Sequence, residues 1–506
     1  MTESIHPLHI LSRSSRLSLA SATGFALTLA ANLVIGRYLL PEDVGILALV
    51  GVWTFYCQLV RPGFLAVAGR DVPHLLGAGQ GEDARHVQNV ALTGELLFAV
   101  IPFAIVCAAG FFYHNRTIRF AFWIAAVAML VSSVQTTLSS MFYVYRRFDI
   151  ATQLRLVLSV IAPVGILMSI RRLGIFSPLV MPGLAAACGL LIYGMHRKVI
   201  GFRFAWDRKL ARYMVVVGIP FSLMTLVSWG YFMSDRPALI AAGVSLAVIG
   251  YYSFASNLIR SVAQVFWDFT AVFQPLLWHE IGRQGSVAAV APQLTRVWVP
   301  YTAAACAAAS LGQALFGAVV RGVAPRFIPS VPIFEILVFI LVFYNASQLP
   351  NLVLNSKSVG RQNSTLVLWS GGLVLNLMLL YGLARSGFSI YAIAAASMMV
   401  DLAVTIVGYA LSHQYLFASA AAAESFYRWQ IGLVVVAVGM YFLLQMQSVQ
   451  YGNGVNIWFT GAVRASIAFA VWSVIGLALW RWWSSLGASR LEMAQDIAAP
   501  VAANIK

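Results

Sequence analysis

About fourteen times along the chain, roughly twenty predominantly apolar residues follow one another, and almost no polar stretch between them is long enough to fold as a soluble domain. A helical run of that length crosses a hydrocarbon core about 30 Å thick. Lipid offers no partner to an open backbone N–H or C=O, so a run of this kind has to be a helix. The composition agrees: of 506 residues, 60% are hydrophobic and 10% charged, and mean hydropathy is +0.82, beyond what a soluble core requires. The spacing predicts an all-α polytopic membrane protein with spans near 17–39, 44–69, 87–113, 118–143, 154–170, 174–195, 213–241, 246–278, 293–319, 330–356, 364–386, 388–413, 427–447 and 459–483.

Loops rich in Lys and Arg resist translocation, and roughly two thirds of the 33 Lys and Arg fall on the side that holds both termini. The densest group is HRKVIGFRFAWDRKLARY, residues 196–213. Both ends are therefore expected in the cytoplasm, with residues 1–16 a retained segment rather than a cleaved signal and 484–506 a tail. The net charge of +16 is read as anchoring to anionic headgroups, and no basic-aromatic motif argues for nucleic acid. Cys57, Cys107, Cys188 and Cys306 fall inside apolar runs without close spacing, which suits buried thiols and neither a disulfide frame nor a metal site.

A weak internal echo organises the runs. GILALV from Gly45 resembles GYYSFA from Gly250, and in both places a short polar break leads through glycine into a long span. Transporters commonly carry such repeats with a binding cavity between the halves. The expected organisation is two pseudo-repeated six-helix lobes, 17–212 and 213–413, with two further spans in 414–483.

Between the first two spans stands RYLLPEDVGILAL, residues 37–49. Pro41 cannot continue the first helix, and Glu42 and Asp43 favour the positive end of the next, so a tight outer hairpin is expected. The same stretch resembles the opening of the Wzx-like polysaccharide exporters of the MOP superfamily, whose pattern runs close to R-x-L-G-P-E-D-F-G-L-Y-A-L. Leu40 here replaces a glycine and Val44 a phenylalanine. GFLAVAGR (63–70), WDRKLARYMVVVGIPFSL (206–223), DRPALIAAGVSLAVIGYYSFASNLIRSVAQVF (235–266) and NLVLNSKSVGRQNSTLVLWSGGLVLNLMLL (351–380) are similar to further segments of that family. Arg61 departs from it, since an acid often precedes the glycine there. The resemblance implies a MOP/MATE-like fold and a flippase of the bacterial cytoplasmic membrane. Its cargo would be a polyisoprenyl-pyrophosphate-linked oligosaccharide for exopolysaccharide or lipopolysaccharide synthesis, and its partners a polysaccharide polymerase and chain-length or export proteins.

Charges within spans are expensive in hydrocarbon, so each is a candidate for a cavity or a buried pair. They are Arg61, Glu95, Arg260, Asp268, Glu335 and Asp401, with Arg37, Asp235 and Arg236 near outer ends. At roughly 100° per residue, Ser253, Asn257, Arg260, Gln264 and Asp268 fall within an arc of roughly 80° on span eight. Thr54, Gln58 and Arg61 cluster within roughly 60° on span two. Such faces line a wet cavity or pack on polar partners. Guanidinium groups hold phosphate bidentately and stay protonated, so Arg61 and Arg260, helped by Gln58, Asn257 and Gln264, are the expected substrate-binding set, with burial against Asp268 or Glu95 as the alternative for the arginines. Asp268 and Asp401 are candidates for coupling to H+ or Na+, Asp401 equally for an interhelical strut through Ser397 and Thr405. Glu95 is a secondary candidate. Asp235, Arg236 and Arg37 are gating candidates, Asp235 with Arg236 serving equally as a local ion pair.

No enzyme or resident cofactor is expected. The outer loops carry no paired acids, nucleophile triad or metal spacing, and GAGQGED (77–83) lacks the lysine and hydroxyl of a nucleotide loop. A MATE-like drug antiporter and a lipid II flippase are the alternatives. Cationic cargo would call for cavity carboxylates, whereas the arginines here suit an anion.

Overall fold

The computed structural model describes residues 24–503 apart from 60–61, 78–79, 146, 198–199, 285, 357, 418 and 451–456; at 268–269, 271–276 and 482–503, among others, only the backbone is described. The N-terminal segment 1–16 and the side chains of Trp482 and Trp483 thus lie outside the described part. No strand occurs among the described residues, and the expected all-α class holds.

Helix α1 covers 24–38, and a two-residue turn leads into α2 (Pro41–Leu59). Pro41 takes the first helical position, where its missing N–H costs nothing, and Glu42 and Asp43 occupy the first turn. The Leu40 N–H donates to Asp43 Oδ2 at 3.1 Å and closes the hairpin expected there. The apolar run predicted as span two is broken: α2 ends before Pro62–Gly63, and α3 (Phe64–Gly77) follows. Helices α4 (Gly81–Phe111), α5 (Arg116–Val144), α6 (Phe148–Leu173) and α7 (Ser177–Met195) come next, the last two joined by a single 3-10 turn, Gly174–Phe176. Asn115 caps α5 by accepting from the Thr117 and Ile118 N–H groups at 2.8 and 3.4 Å. Asp207 does the same for α8 (Arg208–Phe232), through Lys209 and Leu210 at 2.8 and 3.1 Å.

The seventh predicted span is likewise two helices, α8 and the short α9 (Asp235–Ala241). Pro237 explains it: it has no N–H for the Met233 carbonyl, and its ring would collide with that carbonyl in a continuous helix. Then follow α10 (Leu246–Gln284), α11 (Val287–Val323), α12 (Ser330–Leu354), α13 (Gln362–Arg385), α14 (Ile390–Leu416), α15 (Ala420–Gln450) and α16 (Ile457–Ala503). Ten helical stretches among the described residues are long and apolar enough to cross a membrane, α6 to α7 being counted as the one stretch Asp149–Met195.

The chain packs as two units. The first comprises Met1–Phe273, Val323–Leu337 and Asn363–Val404. One core cluster there joins α3, α4, α5 and α8 through Phe64, Val72, Leu92, Phe142 and Met214, and another joins α2, α4 and α5 through Leu49, Val50, Val106 and Phe122. The glycines of the sequence echo meet in this unit. A Cβ on Gly45 would collide with the Leu246 carbonyl, and one on Gly250 with that of Pro41, so α2 and α10 touch backbone to backbone. A second such contact lies at the α2–α3 break, where Gly63 takes φ +81° and a Cβ on Gly218 of α8 would sit 2.5 Å from the Pro62 oxygen.

The second unit comprises Gln274–Gly322, Val338–Gln362 and Thr405–Lys506. Ala314, Met440, Leu444 and Ala468 form a core among α11, α15 and α16. Two buried polar contacts lie inside it: Tyr301 donates to Asn345 Oδ1 at 3.1 Å and Thr405 to the Phe343 carbonyl at 2.9 Å. The four cysteines are free thiols, in keeping with their scattered spacing.

Candidate functional site

The break between α8 and α9 builds the site. In a continuous helix the Arg236 N–H would donate to the Phe232 carbonyl; here it donates to Asp235 Oδ1 at 3.0 Å, and Phe232 O is left to accept from the Arg260 guanidinium of α10 at 3.1 Å. The same Arg260 nitrogen reaches both Asp235 carboxylate oxygens, at 3.1 and 3.4 Å, and the Arg260 guanidinium lies 5.3 Å from the Phe232 ring centroid. Arg260 and Asp235 side chains are 11% and 9% exposed. Arg236 turns its guanidinium to Ser256, at 3.1 Å, and to Asn257 Oδ1.

Two guanidiniums thus share one neighbouring carboxylate. Each retains a buried nitrogen without a hydrogen-bond partner, Arg236 Nε and Arg260 Nη1. Open donors carrying positive charge in a dry setting are costly unless an acceptor reaches them, and a phosphate oxygen is the acceptor that guanidinium matches best.

Beside this nest, Tyr231 donates to Asp401 Oδ1 at 2.7 Å and meets Trp369 edge to face at 5.0 Å. Asn376 of α13 donates to Ser234 and Ser397 at 2.8 and 3.4 Å, while its own Oδ1 is buried without a partner. Tyr56 of α2 donates to the Gly230 carbonyl at 2.9 Å and ties α2 to the last turn of α8.

One turn beyond Arg260 on α10, a cavity of about 120 Å³ opens between α1, α6 and α10. Gly24, Phe25, Thr28, Arg155, Ser159, Ser261, Gln264 and Val265 line it. Asn32 of α1 donates to Ser261, one of these lining residues, at 3.2 Å.

The expected residues therefore separate. Arg260, Asn257, Asp235 and Arg236 come together, and Gln264 lines the cavity. Among the described residues the partner of Arg260 is Asp235 rather than Glu95, and Asp235 pairs with Arg260 rather than with the Arg236 guanidinium. Arg61 lies outside the described residues, and of Asp268 only the helical backbone is described. Gln58 is half-buried on α2 and does not line the cavity. Glu95 is buried on α4, and Arg37 is exposed at the end of α1. Arg155 escaped the sequence reading because it stands at the start of a span, where a basic residue reads as a loop anchor; Asn376 and Ser397 escaped it as single polar residues in apolar helices. Pro237, next to an Asp-Arg pair, was the available signal for the break.

The buried charged nest at the helix break and the polar cavity beside it lie within a helical chain that has ten stretches long and apolar enough to cross a membrane. Residues 12–277 match the family described as polysaccharide biosynthesis protein, and the chain belongs to that family. No curated relative matches the sequence. Among solved structures, the chain is similar to the lipid II flippase MurJ in its inward closed conformation, at TM-score 0.66 and 12% identity over 91% of this chain and 98% of that one. It is similar to an inward-facing multidrug resistance MATE family transporter of the MOP superfamily, at 0.61 and 13% over 79% and 96%. A mutant of the Vibrio cholerae MATE transporter VcmN follows at 0.56 and 11% over 82% and 97%. At these identities the likeness is one of fold alone.

Proposed function

We propose that the protein is a flippase that carries a polyisoprenyl-pyrophosphate-linked oligosaccharide across the bacterial cytoplasmic membrane by alternating access. The observation that carries this reading is the pair of neighbouring guanidiniums, Arg236 and Arg260, each with an open buried nitrogen, beside the single carboxylate of Asp235 among the described residues. Such a nest favours an anionic headgroup over a cationic drug. Family membership supports the glycan, since a polysaccharide is assembled on a lipid carrier whose charged and hydrated end has to cross the bilayer. With both termini cytoplasmic, α1 and α6 run outward from the cavity and α10 runs inward to it. The cavity then falls in the cytoplasmic half of the bilayer, where a headgroup entering from that leaflet meets Arg155 and Gln264 before Arg260.

Coupling to H+ or Na+ is assigned in the same proposal to Asp401 and Asp235, with the open Asn376 Oδ1 as a further oxygen ligand. A phosphate that takes Arg260 would uncover Asp235 for the ion.

The test pairs export with binding. Arg260→Ala and Arg155→Ala, compared with the wild type at matched protein level, are each expected to abolish surface glycan and to weaken capture of a synthetic polyisoprenyl pyrophosphate by the purified protein at least tenfold. Normal glycan and undiminished capture in both variants would sink the assignment, and efflux of a cationic dye by the wild type would favour the antiporter reading.

A further inference from the structure

The connection between α7 and α8 is neither helical nor slack. Residues 201–207 form neither helix nor strand and are bonded to α4 at several points. Gln88 donates to the Gly201 carbonyl at 3.0 Å, the Arg203 N–H to Asn89 Oδ1 at 3.2 Å and the Ala205 N–H to Thr93 Oγ1 at 3.1 Å; His86 Nε2 stands 3.5 Å from Asp207 Oδ2. Gln88 is held in turn by the Tyr145 hydroxyl at 2.5 Å. Ile200, Phe202 and Ala205 join the core cluster of α3, α4 and α5.

Other side chains of the strap stay outside that core. Arg203 is exposed, and so are Phe204 at 70% and Trp206 at 50%. Arg197, Arg208, Lys209 and Arg212 are exposed around them. The one acid in residues 196–213, Asp207, is committed to the Lys209 and Leu210 N–H groups and to His86. Both flanking helices have the length and apolarity of spans, so the strap between them lies at a membrane face.

Rings that are awkward in water, beside exposed cations at that level, match the interfacial layer of an anionic bilayer. We propose that the strap 201–209 is a binding surface for anionic phospholipid headgroups. Phe204 and Trp206 enter the interfacial layer, and Arg203, Arg208 and Lys209 engage lipid phosphates. The inference requires only the spans and the strap, and stands whatever cargo the protein carries. Because the strap is bonded to α4, lipid held there grips α4 and the α7–α8 connection together.

The experiment uses the full chain in vesicles of phosphatidylcholine that contain either phosphatidylglycerol or phosphatidylcholine brominated near the glycerol end. Subtracting the fluorescence of Trp206→Phe from that of the wild type isolates one of the 14 tryptophans. The Trp206 signal is expected to be quenched by brominated phosphatidylglycerol at a much lower mole fraction than by brominated phosphatidylcholine. The triple variant Arg203→Gln, Arg208→Gln, Lys209→Gln should lose that preference by about a hundredfold in relative affinity, at about fivefold per basic side chain. Equal quenching by the two lipids in the wild type, an undiminished preference in the triple variant, or a Trp206 signal quenched by aqueous acrylamide and by neither lipid would each overturn the proposal.

Discussion

Asp235→Ala removes the carboxylate of the nest and leaves two arginines without it. Three polar contacts go: two from Arg260 at 3.1 and 3.4 Å and one from the Arg236 N–H at 3.0 Å. As neutral interhelical bonds in lipid, at about 0.6 kcal/mol each, they would amount to about 2 kcal/mol. The pair is nine-tenths buried, however, so the loss is that of stranding a charge, about 3–5 kcal/mol. Arg260 keeps the Phe232 carbonyl and ring, which draws the expectation to the lower end, about 3 kcal/mol. Removing both charges of the pair, as in Asp235→Ala with Arg260→Leu, leaves Arg236 alone without the carboxylate, still bonded to Ser256 and Asn257, and should recover at least half of that loss. Reversible unfolding of the purified protein in mixed micelles measures both variants. A loss under about 1 kcal/mol for Asp235→Ala, or a double variant as unstable as the sum of its singles, would refute the view that this pair is a charge-compensated buried unit.

Gly250→Ala is expected to reduce stability by about 1–3 kcal/mol in the same assay, because its methyl group would meet the Pro41 carbonyl, a backbone atom that cannot swing aside. Gly371→Ala should be tolerated, since a Cβ there meets nothing within 4 Å, and equal losses at the two positions would count against the backbone contact. Asp207 carries the pH prediction: the Leu210 N–H, then His86 and the Lys209 N–H, hold its carboxyl below its ordinary value of 3.8. A depressed folded value means that the contribution to stability is present above that ordinary value and lost as pH falls through the folded one. Asp207→Asn should therefore flatten the acid limb of the stability profile, and an unchanged limb would contradict the assignment.

Much of the fold was legible because hydropathy reports the property that lipid enforces. The runs became helices, and Pro41 with Glu42 and Asp43 opened α2 as their chemistry requires. The two breaks were not legible, because a window of about twenty residues averages over a two-residue interruption. Pro62 and Pro237 mark them, yet neither disturbs the apolar count around it. The polar face of α10 was legible as a face, though its arc could not tell which neighbour each residue meets: Asn257 and Arg260 serve the nest, and Gln264 serves the cavity. Arg260 found Asp235, 25 positions away in sequence, because the α8–α9 break turns that carboxylate inward, a consequence of backbone geometry that residue spacing does not encode.

The glycine contacts of α2 with α10 and of Gly63 with Gly218 have a mechanical corollary. Surfaces made of bare main chain have no interlocking knobs to disengage, so they can part and rejoin without any side chain changing rotamer. What such a joint gives up in grip it gains in repeatability, and a single added methyl group would act as a wedge.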